Sequence, residues 1–479
     1  MDYSLVIRGG TLVDGTRAPR FKADVAVKGG KIAAIGKVAG KGESEIDAAG
    51  RIVAPGFIDA HTHDDRLMLS SPDMAPKVSQ GVTTVVAGNC GVSLAPAPNG
   101  MPRPVTPPLD LMDPEGTWYR FKSFRDYVAA LREQPPATNC ALLVGHSMLR
   151  VQTMDKLDRP ASPGEISKMK QMVEEALAAG AIGGSTGLYY EPAIAAPTEE
   201  VIEVFRPLTK RNGLYCTHMR DEGDKVVDSL EETFRIGREL GVPVVISHHK
   251  VAGKPNHGRS AETLPLIEKA MKGQRIGLDC YPYCASSTIL TYGRSLGASK
   301  TLVTWSVPHP EFQGMDLKDV ADKLKLSIEK TVEKLLPAGA IYFAMDEGDV
   351  QRILGFEHTM IGSDGLPHDA SPHPRLWGTF PRVLGHYSRT LGLFSLETAV
   401  YKMTGLTAKT FGLQDRGVLK EGCAADIVVF GEGEIGEGNS FEKPIGAARG
   451  IETVIVNGEP VWHGARPTGA RPGQVLKRA

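Results

Sequence analysis

Eight short apolar, β-branched runs recur between residues 52 and 364, near 52–60, 82–87, 140–145, 180–186, 213–218, 243–248, 275–281 and 358–363. Amphipathic helical patterns separate most of them: Phe121 to Gln134, Ser162 to Ala179 with Pro163 near its start, Glu199 to Arg211, Lys225 to Leu240, and Ala261 to Lys272. Parallel strands need a crossover between neighbours, so eight strand–helix alternations predict an α/β fold, a (β/α)8 TIM-type barrel. Such barrels carry their chemistry where the C-terminal ends of the strands meet.

At 479 residues the chain exceeds one ordinary core, and a barrel of about 250 residues with added modules is the natural partition. Residues 56–412 are assigned to the barrel. Within it, the interval between strands 7 and 8 is too long for one helix, and 284–341 reads as an insertion or lid, Ser- and Thr-rich at first and helical near Leu317 to Leu335. The two ends resemble each other, with strand-like runs at Ser4 to Leu12, Asp24 to Val27, Lys31 to Ile35, Asp426 to Phe430 and Thr453 to Val461. Neither end has enough strands for a stable sheet, so a small β-sandwich built from 1–55 with 413–479 is expected.

Acidic and basic residues balance, 56 against 55, without a basic block, which excludes the phosphate-neutralising footprint of a nucleic-acid binder. Met1 to Arg8 lacks the basic start and long apolar core of a signal peptide, and no apolar run approaches membrane-spanning length. A cytosolic protein with a small-molecule substrate, and no membrane or nucleic-acid partner, is expected; oligomeric state leaves no sequence signal. The six cysteines, Cys90, Cys140, Cys216, Cys280, Cys284 and Cys423, are dispersed and read as free thiols.

Five of the strand-like runs end in residues that bind metals. His61 and His63 close Gly56-Phe57-Ile58-Asp59-Ala60-His61-Thr62-His63, and residues two apart on a strand point the same way. Cys90 follows the second run, His218 the fifth, His248 the sixth and Asp364 the eighth. Taken singly, the histidine pair is either a metal face or a polar strand end, and Cys90 is a buried thiol in a tight turn. His249 points away from His248 and reads as a packed histidine, and His146, after strand 3, as a supporting residue at least as readily as a substrate contact.

These segments resemble the amidohydrolase superfamily along almost the whole chain: Ile7-Arg8-Gly9-Gly10-Thr11-Leu12-Val13-Asp14-Gly15, Val53 to His63, and Gly422-Cys423-Ala424-Ala425-Asp426-Ile427-Val428-Val429-Phe430. Gly88-Asn89-Cys90-Gly91, Thr217-His218-Met219-Arg220, Ser247-His248-His249-Lys250, Tyr281-Pro282-Tyr283 and Gly362-Ser363-Asp364-Gly365 are similar to its N-acyl-D-amino-acid deacylases, the D-aminoacylases. The bridging lysine of hydantoinases and dihydroorotases has no counterpart in Ile182-Gly183-Gly184-Ser185-Thr186-Gly187.

The resemblance implies zinc-dependent hydrolysis of N-acyl-D-amino acids. Cys90, His218 and His248 would form one tight zinc site, and His61 and His63 with Asp364 a second, weaker position or a polar half-site for water. Asp364 would move the proton. Arg375, Tyr281 and Lys250 match the carboxylate-binding positions, and Tyr189, Leu296, Tyr342 and Met345 the side-chain pocket. That lining favours leucine, methionine or phenylalanine side chains; Arg294, two residues before Leu296, keeps a D-glutamate or D-aspartate reading open. A cyclic-amide hydrolase or deaminase of the same barrel is the rival enzyme, and a catalytically dead scaffold the rival from another class.

Overall fold

The computed structural model describes residues 2–479. Eight parallel strands form its centre: β1 (Phe57–Asp59), β2 (Val82–Ala87), β3 (Asn139–Gly145), β4 (Gly183–Gly187), β5 (Leu214–His218), β6 (Val244–Ile246), β7 (Ile276–Cys280) and β8 (Thr359–Ile361), each paired with the next. The ring closes where the Ala60 amide donates to the Ile361 carbonyl at 3.1 Å. Alternation sorts the side chains. Ile58, Ala141, Leu143, Leu214, Cys216 and Val245 share the interior cluster, while Cys140, Leu142, Val144 and Tyr215 belong to the core under the surrounding helices.

The first apolar run is divided between two sheets. Ile52–Pro55 pairs antiparallel with Ile427–Phe430 in the terminal sheet, and Phe57 begins the barrel. Gly56 makes the crossing, because a Cβ there would meet Thr83 Cγ2 at 2.1 Å. Strands from both termini form one continuous nine-stranded sheet, and Leu5, Ile7, Val25 and Val27 share a core with Val53, Ile427, Val429 and Ile455.

Between β7 and β8, Ala285–Ile289, Thr301–Ser306 and Ala338–Phe343 make an antiparallel sheet backed by helices Leu317–Leu324 and Ile328–Leu335. This inserted segment has its own core of Val303, Leu317, Val320, Val332 and Tyr342, and its last strand runs to residue 343. No helix among the described residues is long and apolar enough to cross a membrane.

Candidate active site

The rim at the C-terminal ends of the strands collects polar residues from five of them. His61 and His63 follow β1, Cys90 follows β2, His218 ends β5, His248 follows β6 and Asp364 follows β8, and none is more than 7% exposed. Cys90, His248 and Asp364 take left-handed backbone, with φ of 54°, 36° and 49°. Side chains rarely occupy that region, which costs about 1–3 kcal/mol per residue, so their surroundings must hold them there. Before Cys90, Gly88 (φ 84°) is required, since a Cβ would meet the Leu143 carbonyl oxygen at 2.1 Å. Where a bridging lysine is missing from β4, the Ser185 hydroxyl accepts from the Gly91 amide at 3.0 Å and donates to the Gly88 carbonyl, bracing the Cys90 turn.

Cys90 Sγ lies 3.3 Å from His248 Nε2, which lies 2.9 Å from His218 Nδ1. These three donors all fall within 4.8 Å of one another, a spread that suits ligands about 2.0–2.3 Å from a shared zinc ion. Cys90 Sγ is also 3.3 Å from His61 Nε2, and Asp364 Oδ1 lies 3.5 Å from His61 Nε2 and 3.3 Å from His63 Nε2. Cys90 is thus the corner shared by two adjoining donor groups. Burial lowers the His218 and His248 imidazoles and takes His61 to about 3, so these rings are neutral, as metal ligation requires. Burial also pushes the Cys90 thiol well above its ordinary value, and a dication among these rings is what would stabilise its thiolate. One sulfur, imidazole nitrogens and a carboxylate make a donor set that fits zinc.

Two acids that the sequence did not single out stand behind these rings. Glu222 Oε1 is 3.0 Å from His248 Nδ1 and 2.7 Å from Lys250 Nζ, and its other oxygen is 3.7 Å from His218 Nε2. Burial opposes its charge, but Lys250 and the two imidazoles hold it well below the usual carboxylate range. A carboxylate on the outer ring nitrogens leaves the inner ones to a metal. Its one signal was its place four residues after His218. Asp279, at the end of β7, lies 3.6 Å from His61 Nδ1 and accepts the His248 amide at 3.0 Å; burial pushes it up to about 7. Nothing in the sequence set it apart.

A cleft opens over the cluster, lined by Val92, Pro108, Leu111 and Leu366 together with Tyr281, Lys250, Ser287 and Arg294. The Tyr281 hydroxyl is buried without a hydrogen-bond partner among the described residues. Arg375, fully buried, lies against the Tyr281 ring at 4.5 Å, donates to the Ser287 carbonyl at 3.1 Å and pairs with Asp364 Oδ2 at 3.0 Å. Burial would raise Asp364, yet Arg375 and the neighbouring histidines hold it well below the ordinary range, so it is a carboxylate.

The four expected side-chain-pocket residues are not together. Tyr189 and Tyr342 line an adjoining compartment that shares Glu222, Ser286 and Arg294 with the main cavity. Leu296 is 66% exposed, because its helix, Tyr292–Gly297, turns it to solvent, and Met345 lines a separate cavity behind Lys250 and Tyr281. Arg294 is half-buried, its guanidinium 4.1 Å over the Tyr189 ring, with no carboxylate in ion-pair range among the described residues. His249 faces Thr263 Oγ1 at 2.9 Å, and His146 lies 3.4 Å from Glu200; neither lines the main cavity.

The model of the Amidohydrolase family matches residues 44–272 and 355–462. A D-aminoacylase of Alcaligenes xylosoxydans xylosoxydans is 58% identical over 477 residues, covering 99% of this chain and 98% of its own. A solved D-aminoacylase, described as having a binuclear metal centre with one-metal activation and second-metal attenuation, superposes with a TM-score of 0.97 at 57% identity, covering 99% of this chain and 100% of the other. An N-acyl-D-glutamate deacylase of Bordetella bronchiseptica, solved with zinc and a phosphonate mimic of the tetrahedral intermediate, gives 0.95 at 44% identity over 100% of both chains.

Proposed function

Because the chain belongs to the amidohydrolase family, and within it groups with D-aminoacylase, we propose that it hydrolyses the amide bond of N-acyl-D-amino acids to a carboxylate and a free D-amino acid. The observation that carries this reading is one cavity joining the Cys90–His218–His248–Asp364 cluster to Lys250 and to the Tyr281 hydroxyl, which has no hydrogen-bond partner among the described residues. Cys90, His218 and His248 would hold the tight zinc, and His61, His63 and Asp364 a weaker one. Zinc, when bound, polarises the scissile carbonyl and makes water a competent nucleophile at a pH of about 7.

The chain's own residues supply binding and proton transfer. Tyr281 and Lys250 donate to the substrate carboxylate, which also competes with Asp364 for the Arg375 guanidinium. Asp364, released from Arg375, gains basicity, takes a proton from the attacking water and delivers it to the nitrogen as the C–N bond breaks.

The amino-acid side chain is assigned to the compartment that Tyr189, Tyr342 and Ala344 line together with Asp221, Glu222 and Arg294, and the aromatic surface there is the ground for reading leucine, methionine or phenylalanine. Arg294 supports a second reading, an acidic side chain, because it enters the same compartment without a carboxylate partner among the described residues. The deciding comparison is kcat/KM for N-acetyl-D-leucine and N-acetyl-D-methionine against N-acetyl-D-glutamate, in the native protein and in Arg294→Ala. Preference for the apolar substrates, little changed in the variant, is expected. A D-glutamate preference that collapses in Arg294→Ala would make Arg294 the specificity residue and overturn the apolar assignment.

A further inference from the structure

Behind the seam where β1 and β8 close the barrel sits a lysine with no exposed surface. Lys77, on the short helix Ala75–Val78, donates from Nζ to Asp59 Oδ2 at 2.8 Å, Thr62 Oγ1 at 2.9 Å and Ser363 Oγ at 2.8 Å, so all three ammonium hydrogens are used. Asp64 Oδ2 is a second countercharge at 3.4 Å. Asp59 and Ser363 bind the two strands together. Asp59 Oδ1 accepts from the backbone amides of Ser363 at 2.8 Å and His61 at 3.2 Å, and Oδ2 accepts from the Ser363 hydroxyl at 2.6 Å. The Ser363 hydroxyl in turn accepts from the Gly365 amide at 3.1 Å.

These bonds fall on the immediate neighbours of the three residues of the weaker half-site. Thr62 lies between His61 and His63, and Ser363 and Gly365 flank Asp364, whose left-handed φ of 49° needs support from both sides. The seam itself is made by the same segments: the Asp364 amide donates to the His61 carbonyl at 2.7 Å, and the His63 amide to the Gly365 carbonyl at 3.1 Å. Lysine is almost never fully buried unless paired, and well-packed apolar side chains commonly match or exceed a buried ion pair in stability. Geometry, not stability, is what this network is suited to supply.

We propose that Lys77 is a positioning residue: acting through Asp59, Thr62 and Ser363, it sets Asp364 against His61 and His63 without touching substrate. The inference rests on the reading of that half-site as the weaker metal position and the seat of proton transfer. Two variants test it. Lys77→Met keeps much of the volume and removes the charge, and Ser363→Ala removes one hydroxyl from the network and leaves the ion pairs of Lys77 in place.

In each folded variant, zinc content at the tight site is measured first. The affinity of the weaker position for added zinc then follows by calorimetric titration, and kcat and KM are taken separately with one zinc per chain. A full tight site, a weaker-site affinity reduced at least about tenfold, and a kcat reduced by a similar factor with KM within about threefold are expected, more in Lys77→Met than in Ser363→Ala. A purely structural lysine would lower the melting temperature and leave affinity and kcat unchanged. Native values of both in Ser363→Ala and in folded Lys77→Met overturn the proposal. If the native protein cleaves no N-acyl amino acid, the functional reading fails, whereas the zinc titration still decides the role of Lys77.

Discussion

Cys90 stands at the junction of the two donor groups, 3.3 Å from both His61 and His248. Replacing it, or either histidine of the tight set, should therefore remove the metal and the activity together. Cys90→Ala, His218→Ala and His248→Ala are expected to purify with little zinc and no turnover, and His61→Ala to keep most of its zinc, as read by elemental analysis. Full zinc content in Cys90→Ala would show the ligand assignment to be wrong. Asp364→Asn should keep zinc and substrate binding and lose at least about 100-fold in kcat, since an amide cannot take the proton from water; near-native turnover would move the base elsewhere. The donor residues were legible because each follows an apolar run and is of a metal-binding type. Glu222 and Asp279 were not, since an acid beyond or within a strand carries no mark of the imidazole it will face. The direction of the Arg294 side chain depends on the fold of the inserted segment, so its neighbours in sequence, including the exposed Leu296, gave no guide to it.

Elements were legible in proportion to how cleanly their burial follows one period. The barrel strands are buried on both faces and most of them stood out as apolar runs, whereas the terminal strand Gly42–Asp47, largely exposed, has a polar sequence without the β-branched alternation that marks a strand. Thr453 to Val461 reads as one strand but forms two, Ile451–Val456 and Glu459–His463, because Asn457 and Gly458 both take positive φ and reverse the chain. Below the rim, helices His146–Thr153 and Thr198–Phe205 are joined by a buried pair between Arg150 and Glu200, with His146 3.4 Å from the same carboxylate. Burial would raise Glu200, but His146 and Arg150 bring it from 4.5 to about 2. Because the folded value is depressed, this contribution to stability is complete above pH 4.5 and fades as pH falls toward 2. Urea titrations should find Glu200→Gln less stable by about 3–5 kcal/mol at neutral pH, with the gap to the native protein closing over that acid window. A gap that is constant with pH would contradict the assignment.

At the scale of the whole molecule, the chain threads from the terminal sheet through the barrel and back. Gly56 marks the first crossing, and the far end of the barrel is sealed by the C-terminal segment, where the Cys140 amide donates to the Gln474 carbonyl at 2.9 Å and the Leu476 amide returns to Cys140 at 2.8 Å. The rim is left open to the cavity, with the inserted segment supplying Ser287, Thr288 and Arg294 to one wall. Alternation of strand and helix made this architecture readable, while the stereochemistry of the substrate left no trace in spacing or composition. That stereochemistry is measured by kcat/KM for N-acetyl-D-leucine against N-acetyl-L-leucine on protein of known zinc content, before and after chelation. The expected result is release of acetate from the D-substrate with at least about 100-fold preference, lost on chelation and restored by zinc. Preference for the L-substrate, or full activity in metal-free protein, would rule out a zinc-dependent deacylase of N-acyl-D-amino acids.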